Sequence, residues 1–278
     1  MPVLECVVNI SEGTQGDLLS AFREIARPAL LDLHADAFHN RAVLTLAGAG
    51  DDLHQAVAAL TRLALATLDL ARHEGVHPRL GVVDVVPFVD LADPWAPATT
   101  ASIAARDRYA RWAAQELDLP CFLYGPERAL PEIRRSAWRT LDPDVGPRRP
   151  HPTAGAVCVG ARPVLVAYNL VLSAPDIERA RVIAAGLRRP GLRTLALVTG
   201  PDVQISCNLT DPLRLRPDHV YDLIDGALRA AGQGAPRIAR AELVGLLPEA
   251  VLAAIPAKRW DALALAPDRT IEAHQRRS

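Results

Sequence analysis

The strongest constraint on the fold is an order of elements. A strand, helix, strand, strand, helix, strand succession is met twice along the chain, with a proline- and glycine-rich stretch between. In the first run, apolar segments at Leu4–Ile10, Ala29–Leu33, Ala42–Ala47 and Val82–Val89 read as strands, and Asp17–Ala26 and Asp51–Arg72 as helices. Within the longer helix Leu53, Val57, Leu60, Leu63, Ala64 and Leu68 recur at helical spacing. A helix at Thr99–Leu117, a strand at Cys121–Tyr124 and a shorter helix at Leu130–Thr140 follow. The second run predicts strands Ala156–Val159, Val164–Leu172, Thr194–Val198, Val203–Leu209 and Arg237–Val244, with helices Asp176–Arg188, Asp218–Ala231 and Pro248–Ile255. Strand pairs joined by a short turn such as Gly200-Pro201-Asp202 and interleaved with helices favour the α+β class, two βαββαβ subdomains with mixed sheets, over a doubly wound parallel fold. Pro143, Gly146, Pro147, Pro150 and Pro152 place the boundary within Leu141–Gly155, giving domains at 1–150 and 151–278. The tail from Asp261 reads as polar and weakly ordered.

Composition narrows the function classes. With 278 residues the chain can bury a sizeable core. A formal net charge of −1 supplies neither a basic footprint for nucleic acid nor a field for an anionic membrane. Cys6, Cys121, Cys158 and Cys207 are scattered through apolar, strand-like stretches, which is neither a disulfide framework nor a metal cluster, so a reducing cytoplasm is the default expectation. The start, Met1-Pro2-Val3-Leu4-Glu5, has no basic and apolar signal pattern, and no apolar run approaches membrane-spanning length.

One heptad supports two incompatible readings. His73-Glu74-Gly75-Val76-His77-Pro78-Arg79 contains H-E-x-x-H, the zinc-protease pattern, which needs both histidines one turn apart on a continuous helix. Gly75 costs about 1 kcal/mol relative to alanine inside a helix, and Pro78 pushes His77 away from the α region. The helix is therefore expected to end near His73–Gly75, with Gly75 as its C′ residue and His77 on a loop. No metal is expected at this site.

Other polar clusters interrupt the apolar strands, where sites tend to be built. Asn9-Ile10-Ser11-Glu12-Gly13 suits a helix cap and is not a phosphate-binding glycine loop. His39-Asn40-Arg41 suits either an exposed turn or carboxylate capture. Gly146-Pro147-Arg148-Arg149-Pro150-His151-Pro152-Thr153-Ala154-Gly155 reads locally as a linker, and Ser206-Cys207-Asn208-Leu209-Thr210-Asp211 ends a strand with polar residues.

Taken together and in order, these segments carry a resemblance. Glu5-Cys6-Val7-Val8-Asn9-Ile10-Ser11-Glu12-Gly13 is similar to the E-C-V-P-N-F-S-E-G opening of glutamate formiminotransferases (formimidoyltransferases). His39-Asn40-Arg41, His77-Pro78-Arg79-Leu80-Gly81 with Asp84 and Pro87-Phe88, Leu123-Tyr124-Gly125, and His151–Ala156 with Gly160-Ala161-Arg162 match further family motifs. So do Ala167-Tyr168-Asn169, Asn208-Leu209-Thr210-Asp211 and Leu243-Val244-Gly245-Leu246, so the match reaches about Ile255. The resemblance implies transfer of the formimino group of N-formimino-L-glutamate to N5 of tetrahydrofolate, the folate being a co-substrate and no metal being needed. It implies two ferredoxin-like α/β subdomains with a folate tunnel between them, in a cytoplasmic homodimer that has neither nucleic acid nor membrane as partner. It also implies His77 as the catalytic histidine, with His39, Asn40, Arg41, Arg79, Asp84, Tyr124 and Asn208 as substrate-binding residues. The whole Gly146–Gly155 segment becomes the folate-binding loop, reversing its local reading as a linker.

The chemistry explains the residue types. Attack of N5 on an amidine carbon needs a proton removed from N5 and one delivered to the departing glutamate nitrogen, which a histidine titrating near neutrality can do in turn. Arginines such as Arg41 and Arg79 suit carboxylates as bidentate forks. Two positions depart from the family pattern: Val76 stands where glutamate is usual, and His34 where an acid is common. The departures leave room for a related formyl or cyclising folate reaction, or for a folate-binding protein without turnover.

Overall fold

The computed structural model describes residues 2–277, which form two compact units divided between Pro163 and Val164. The first unit opens with β1 (Val3–Ile10), α1 (Gly16–Ala26), β2 (Leu30–Asp36), β3 (Arg41–Ala49), α2 (Gly50–Thr67) and β4 (Val83–Asp90). It continues through α3 (Thr100–Leu117), β5 (Cys121–Tyr124), α4 (Leu130–Ser136) and β6 (Val157–Ala161). The six strands form one sheet in the order β2-β3-β1-β4-β6-β5. The first three pairings are antiparallel, whereas β6 lies parallel to both β4 and β5, so this sheet is mixed as expected.

One core of this unit gathers Val8, Ile10, Phe22, Leu44, Leu46, Val57, Leu60, Val86, Phe88 and Tyr109, drawn from the sheet and from α1, α2 and α3. A second cluster, Val85, Phe122, Tyr124, Ile133, Ala156 and Cys158, packs with Trp138 and includes α4. Helix α3 starts where its sequence says it should: Thr99 and Ser102 exchange side-chain to backbone bonds in a capping box.

The second unit contains β7 (Val166–Leu172), α5 (Ile177–Leu187), β8 (Leu192–Thr199), β9 (Asp202–Leu209), α6 (Pro217–Ala230) and β10 (Ile238–Val244). Its four strands run β10-β7-β9-β8, every pairing antiparallel. Tyr168, Leu170, Ile205, Cys207, Val220, Ile224 and Leu228 anchor its core. The four strands β1 to β4 are paired in the same relative order as β7 to β10, and each set encloses two helices at the same places in the chain.

Four expectations change. The second sheet is antiparallel rather than mixed. β6, read as opening the second run, belongs to the first sheet, which moves the division from 150/151 to after Pro163. Its five residues are all buried, as suits a strand flanked by parallel neighbours and covered on both faces. Helix α2 stops at Thr67 rather than near His73, because Leu68 turns extended and the Asp69 carboxylate caps a separate 3-10 turn at Leu70–Arg72. The tail beyond Asp261 is ordered: Leu263, Leu265 and Ile271 are buried, and the Leu263 carbonyl accepts a 2.8 Å bond from the Tyr168 hydroxyl. Short turns, which carry no long apolar period, hide that packing from a sequence reading. Among the described residues no helix is long and apolar enough to cross a membrane.

Candidate functional site

The site lies on the first unit, where four loops meet: the turn after β1, the β2–β3 turn, the loop leading into β4, and the turn before β6. The β2–β3 turn is built first. Asn40 adopts a left-handed conformation at φ 45°, which asparagine tolerates better than most residues. Its amide then ties two neighbours together, Oδ1 accepting from Gly13 N at 2.9 Å and Nδ2 donating to Glu74 O at 2.7 Å. Asp36 accepts from the His39 backbone N–H at 2.8 Å and faces its Nδ1 at 3.1 Å. That side-chain bond to His39 holds the Asp36 carboxyl well below the usual carboxylate range.

Two glycines let the flanking loops close on this turn. A Cβ on Gly13 would stand 2.3 Å from Asp36 O, and one on Gly75 would stand 2.5 Å from His39 O. Gly75 is thus a close-approach residue, and its expected role as a helix C′ falls away with the earlier end of α2. The loop into β4 is joined in the same way to the turn before β6, where a Cβ on Gly81 would lie 2.2 Å from Ala156 O and one on Gly155 2.2 Å from Leu80 O.

At the centre, Arg41 Nη1 stands 2.6 Å from His77 Nε2. A guanidinium has no acceptor, so Nε2 presents its lone pair and the neutral ring carries its proton on Nδ1. The His39 ring meets that of His77 edge-on, centroids 6.0 Å apart. Burial foremost, then the charges of Arg41 and Arg134, push the His77 imidazole down to about 2. This departs from the expectation of a histidine titrating near neutrality: the ring is held neutral, with its Nε2 lone pair turned to Arg41.

The remaining expected residues divide. Arg79 folds back on its own loop, Nη2 donating to Gly75 O at 2.6 Å and His77 O at 2.7 Å. Asp84 is buried and gripped at both oxygens by Arg134 of α4, with Nη1 to Oδ1 at 2.7 Å, and it accepts from Leu80 N at 2.7 Å. Those bonds make it a brace for the His77 loop. Tyr124 is buried on β5, its ring covering Gly160, and burial raises its hydroxyl to about 12. The Arg162 guanidinium beside it works in the opposite direction. Asn208 lies exposed on β9 in the second unit.

The Gly146–Gly155 segment also divides. Gly146, Arg148, Arg149 and Pro150 are exposed, Pro147 partly so, and Arg148 reaches Asp142 at 3.5 Å. His151, Pro152, Thr153, Ala154 and Gly155 form a turn in which His151 Nδ1 accepts from Ala154 N at 3.0 Å. The turn's carbonyls then bond outward, Thr153 O to Leu70 N at 2.7 Å and Ala154 O to Val82 N at 3.0 Å. A cavity of about 340 Å3 is lined by Ser11, Glu12, Gln15, Asn40, Asp69 and His73 among others, but by neither Arg41 nor His77. Sequence reasoning missed Arg134, whose partner Asp84 lies 50 residues away, and Asp36, although its partner His39 stands only three residues on.

Fold and site together define an α+β protein whose first unit sets a neutral imidazole among arginines suited to anionic ligands. Residues 3–162 match the family model described as the formiminotransferase domain, N-terminal subdomain. The chain belongs to the formiminotransferase family. It is 35% identical over 208 residues to the glutamate formimidoyltransferase of Streptococcus pyogenes serotype M1, covering 68% of this chain and 69% of that one. The glutamate formimidoyltransferase of Thermoplasma acidophilum is 31% identical over 283 residues, covering 91% and 90%. The formimidoyltransferase-cyclodeaminase of Gallus gallus is 33% identical over 208 residues, covering 68% of this chain and 38% of that protein.

Proposed function

We propose that this protein transfers the formimino group of N-formimino-L-glutamate to N5 of tetrahydrofolate, releasing glutamate. The observation that carries the reading is the pairing of Arg41 with His77 inside a family-matched unit: an anion receptor beside a base lone pair. In the reaction the N5–carbon bond forms, His77 Nε2 takes the N5 proton, and the same proton is delivered to the glutamate nitrogen as its bond to carbon breaks. Arg41 and Arg79 receive carboxylates, His39 and Asn40 hold the turn that carries Arg41, and Asp84 braces the loop that carries His77. The His151–Gly155 turn, bonded to that loop, forms one wall for folate together with Gly146, Pro147, Arg148, Arg149 and Pro150.

The matching strand order of the two units supports a ferredoxin-like frame for each, with the second unit as the family's C-terminal subdomain. Steady-state transfer from N-formimino-L-glutamate to tetrahydrofolate tests the activity, with a His77→Ala variant beside it. Folate binding by both proteins with turnover by neither would reduce the chain to a folate-binding module.

A further inference from the structure

The cavity of about 340 Å3 takes no part in the proposed transfer, yet its size is that of a small-molecule site. One wall is the turn after β1, with Ser11, Glu12 and Gln15; the other runs from Thr67 at the end of α2 to His73. Asn40 lines it too and fixes the two walls, bonding Gly13 N on one side and Glu74 O on the other. Several lining groups are committed within the protein. Glu12 Oε1 accepts from Thr14 N, Thr14 Oγ1 and Gln15 N, and its Oε2 from Gln15 Nε2. Ser11 Oγ donates to Gly81 O, and Thr67 Oγ1 to Leu63 O.

Three lining groups are not so committed. Asp69 uses Oδ1 to accept from Ala71 N at 3.0 Å, which leaves Oδ2. Arg72 stands one 3-10 turn further on, where residues three apart share a side, but the two charges form no ion pair with each other. The Arg72 guanidinium has no side-chain bond to any described residue. His73 Nε2 is a buried atom without a hydrogen-bond partner among the described residues, an arrangement that is costly for a polar atom. Burial, then the charge of Arg79, lowers that ring's pKa, so it offers a neutral nitrogen at neutral pH. A phosphate or a dicarboxylate would meet the charges of Glu12 and Asp69, and a simple cation would meet Arg72. A molecule with one end of each sign suits both.

We propose that this cavity binds a free α-amino acid with a polar side chain, its carboxylate on Arg72, its ammonium on Asp69 and its side chain on His73 Nε2. The guanidinium fork suits the carboxylate, and Asp69 Oδ2 accepts from the ammonium. A side-chain hydroxyl or amide both donates and accepts, so it meets Nε2 in either tautomer. The site is separate from the one assigned to formimino transfer, since neither Arg41 nor His77 lines it, and it does not depend on that reading.

Ligand-observed NMR on the full chain at about pH 7, where both ends of an α-amino acid are charged, provides the test. L-Serine and L-glutamine are the probes, with Kd expected at about 1 mM or tighter. Ethanolamine, which is serine without its carboxylate, and 3-hydroxypropanoate, which is serine without its ammonium, should each bind about 10-fold or more weakly than L-serine, the size of one lost charged hydrogen bond. L-Alanine, which lacks the hydroxyl, should bind more weakly than L-serine by a smaller factor. These arms use the wild-type protein and do not depend on any variant folding. Arg72→Gln should weaken L-serine about 10-fold and leave ethanolamine unchanged; Asp69→Asn, which keeps the Oδ1 acceptor for Ala71 N, should weaken L-serine and leave 3-hydroxypropanoate unchanged. A merely structural role would weaken serine and its fragments alike. Failure of both amino acids to bind overturns the proposal, as does a fragment that binds as tightly as L-serine, or L-serine binding that neither variant alters.

Discussion

Removing Arg134 should be among the most costly single changes in the first unit. Asp84 is 2% exposed, and its two oxygens accept two bonds from Arg134 and one from Leu80 N. Arg134→Met keeps the apolar stem and deletes both charged bonds, leaving a buried carboxylate with a single backbone donor. Hydrogen bonds to charged groups contribute about 1.5–3 kcal/mol each, and breaking a buried pair from one side costs about 3–5 kcal/mol. Since the carboxylate side chain is 3% exposed and the guanidinium 19%, solvent screening takes little from that range. The assay is urea unfolding followed by tryptophan fluorescence in a Trp260→Phe background, where Trp95, Trp112 and Trp138 all report on the first unit. Adding Asp84→Asn to Arg134→Met should recover part of the loss, because a neutral amide can keep the Leu80 bond without a buried charge. A loss below about 1 kcal/mol for Arg134→Met, the level of an exposed ion pair, would refute the assignment of Asp84 as a buried brace.

Replacing Gly75 by alanine places a methyl 2.5 Å from His39 O and 2.9 Å from Asn40 Cβ, so thermal melts should show a loss of about 1–3 kcal/mol and transfer should fall as Arg41 shifts. His77→Ala should lower kcat for formimino transfer by about 10²–10⁴-fold, read in steady state, while folate binding persists. His77 also sets a pH dependence: its folded pKa of about 2 lies below the unfolded value, so the unfolded chain binds the extra proton and acid destabilises the fold. Between about pH 6.5 and the folded value that one group costs up to about 1.4 kcal/mol per pH unit, and His77→Gln should flatten the slope in urea melts run from pH 7 to 4. Asp36 acts with the same sign from a different cause: its depressed carboxyl stabilises fully above about pH 4 and the gain is lost as pH falls through its folded value, so Asp36→Asn should be most costly at neutrality and least in acid.

Most of the frame was legible because it is written in local patterns. Val3–Ile10 is a mostly apolar, valine-rich run, Thr99 and Ser102 announce a helix start, and Cys121–Tyr124 is bounded by Pro120 and Gly125. What escaped was decided at a distance. Leu68–Arg72 keeps helical composition, yet the chain leaves the helix where Leu70 N finds Thr153 O across the sequence. β6 looks like any apolar strand, and only its pairing with Val85–Phe88 and Cys121–Tyr124 assigns it to the first sheet. At the site, His77 and Arg41 could be named from chemistry and family likeness, but their mutual contact could not. Arg134 sits 50 residues from Asp84 on a short helix among other arginines, and nothing nearby marks it as the partner. Gly75 was noticed for the wrong reason: as a helix terminator it is idle, whereas the space it leaves lets the His77 loop close on the β2–β3 turn.

The two units share a strand order, which makes the difference between them informative. In the second, β10 is an edge strand. In the first, its counterpart β4 is an interior strand, because β6 and β5 have been added beyond it. That addition brings α4 with Arg134 onto Asp84, and it brings the His151–Gly155 turn against the loop that leads into β4. The loop is then held from both sides, by the β2–β3 turn through Asn40 and by the added turn through Gly81 and Gly155. A loop carrying a proline and a half-buried imidazole has little reason to keep one conformation by itself, since few of its own backbone groups bond one another. The shared βαββαβ frame supplies the turn with Arg41, and the extension supplies the clamp on His77. The Arg41–His77 pair, on which the proposed base depends, exists only where the two meet.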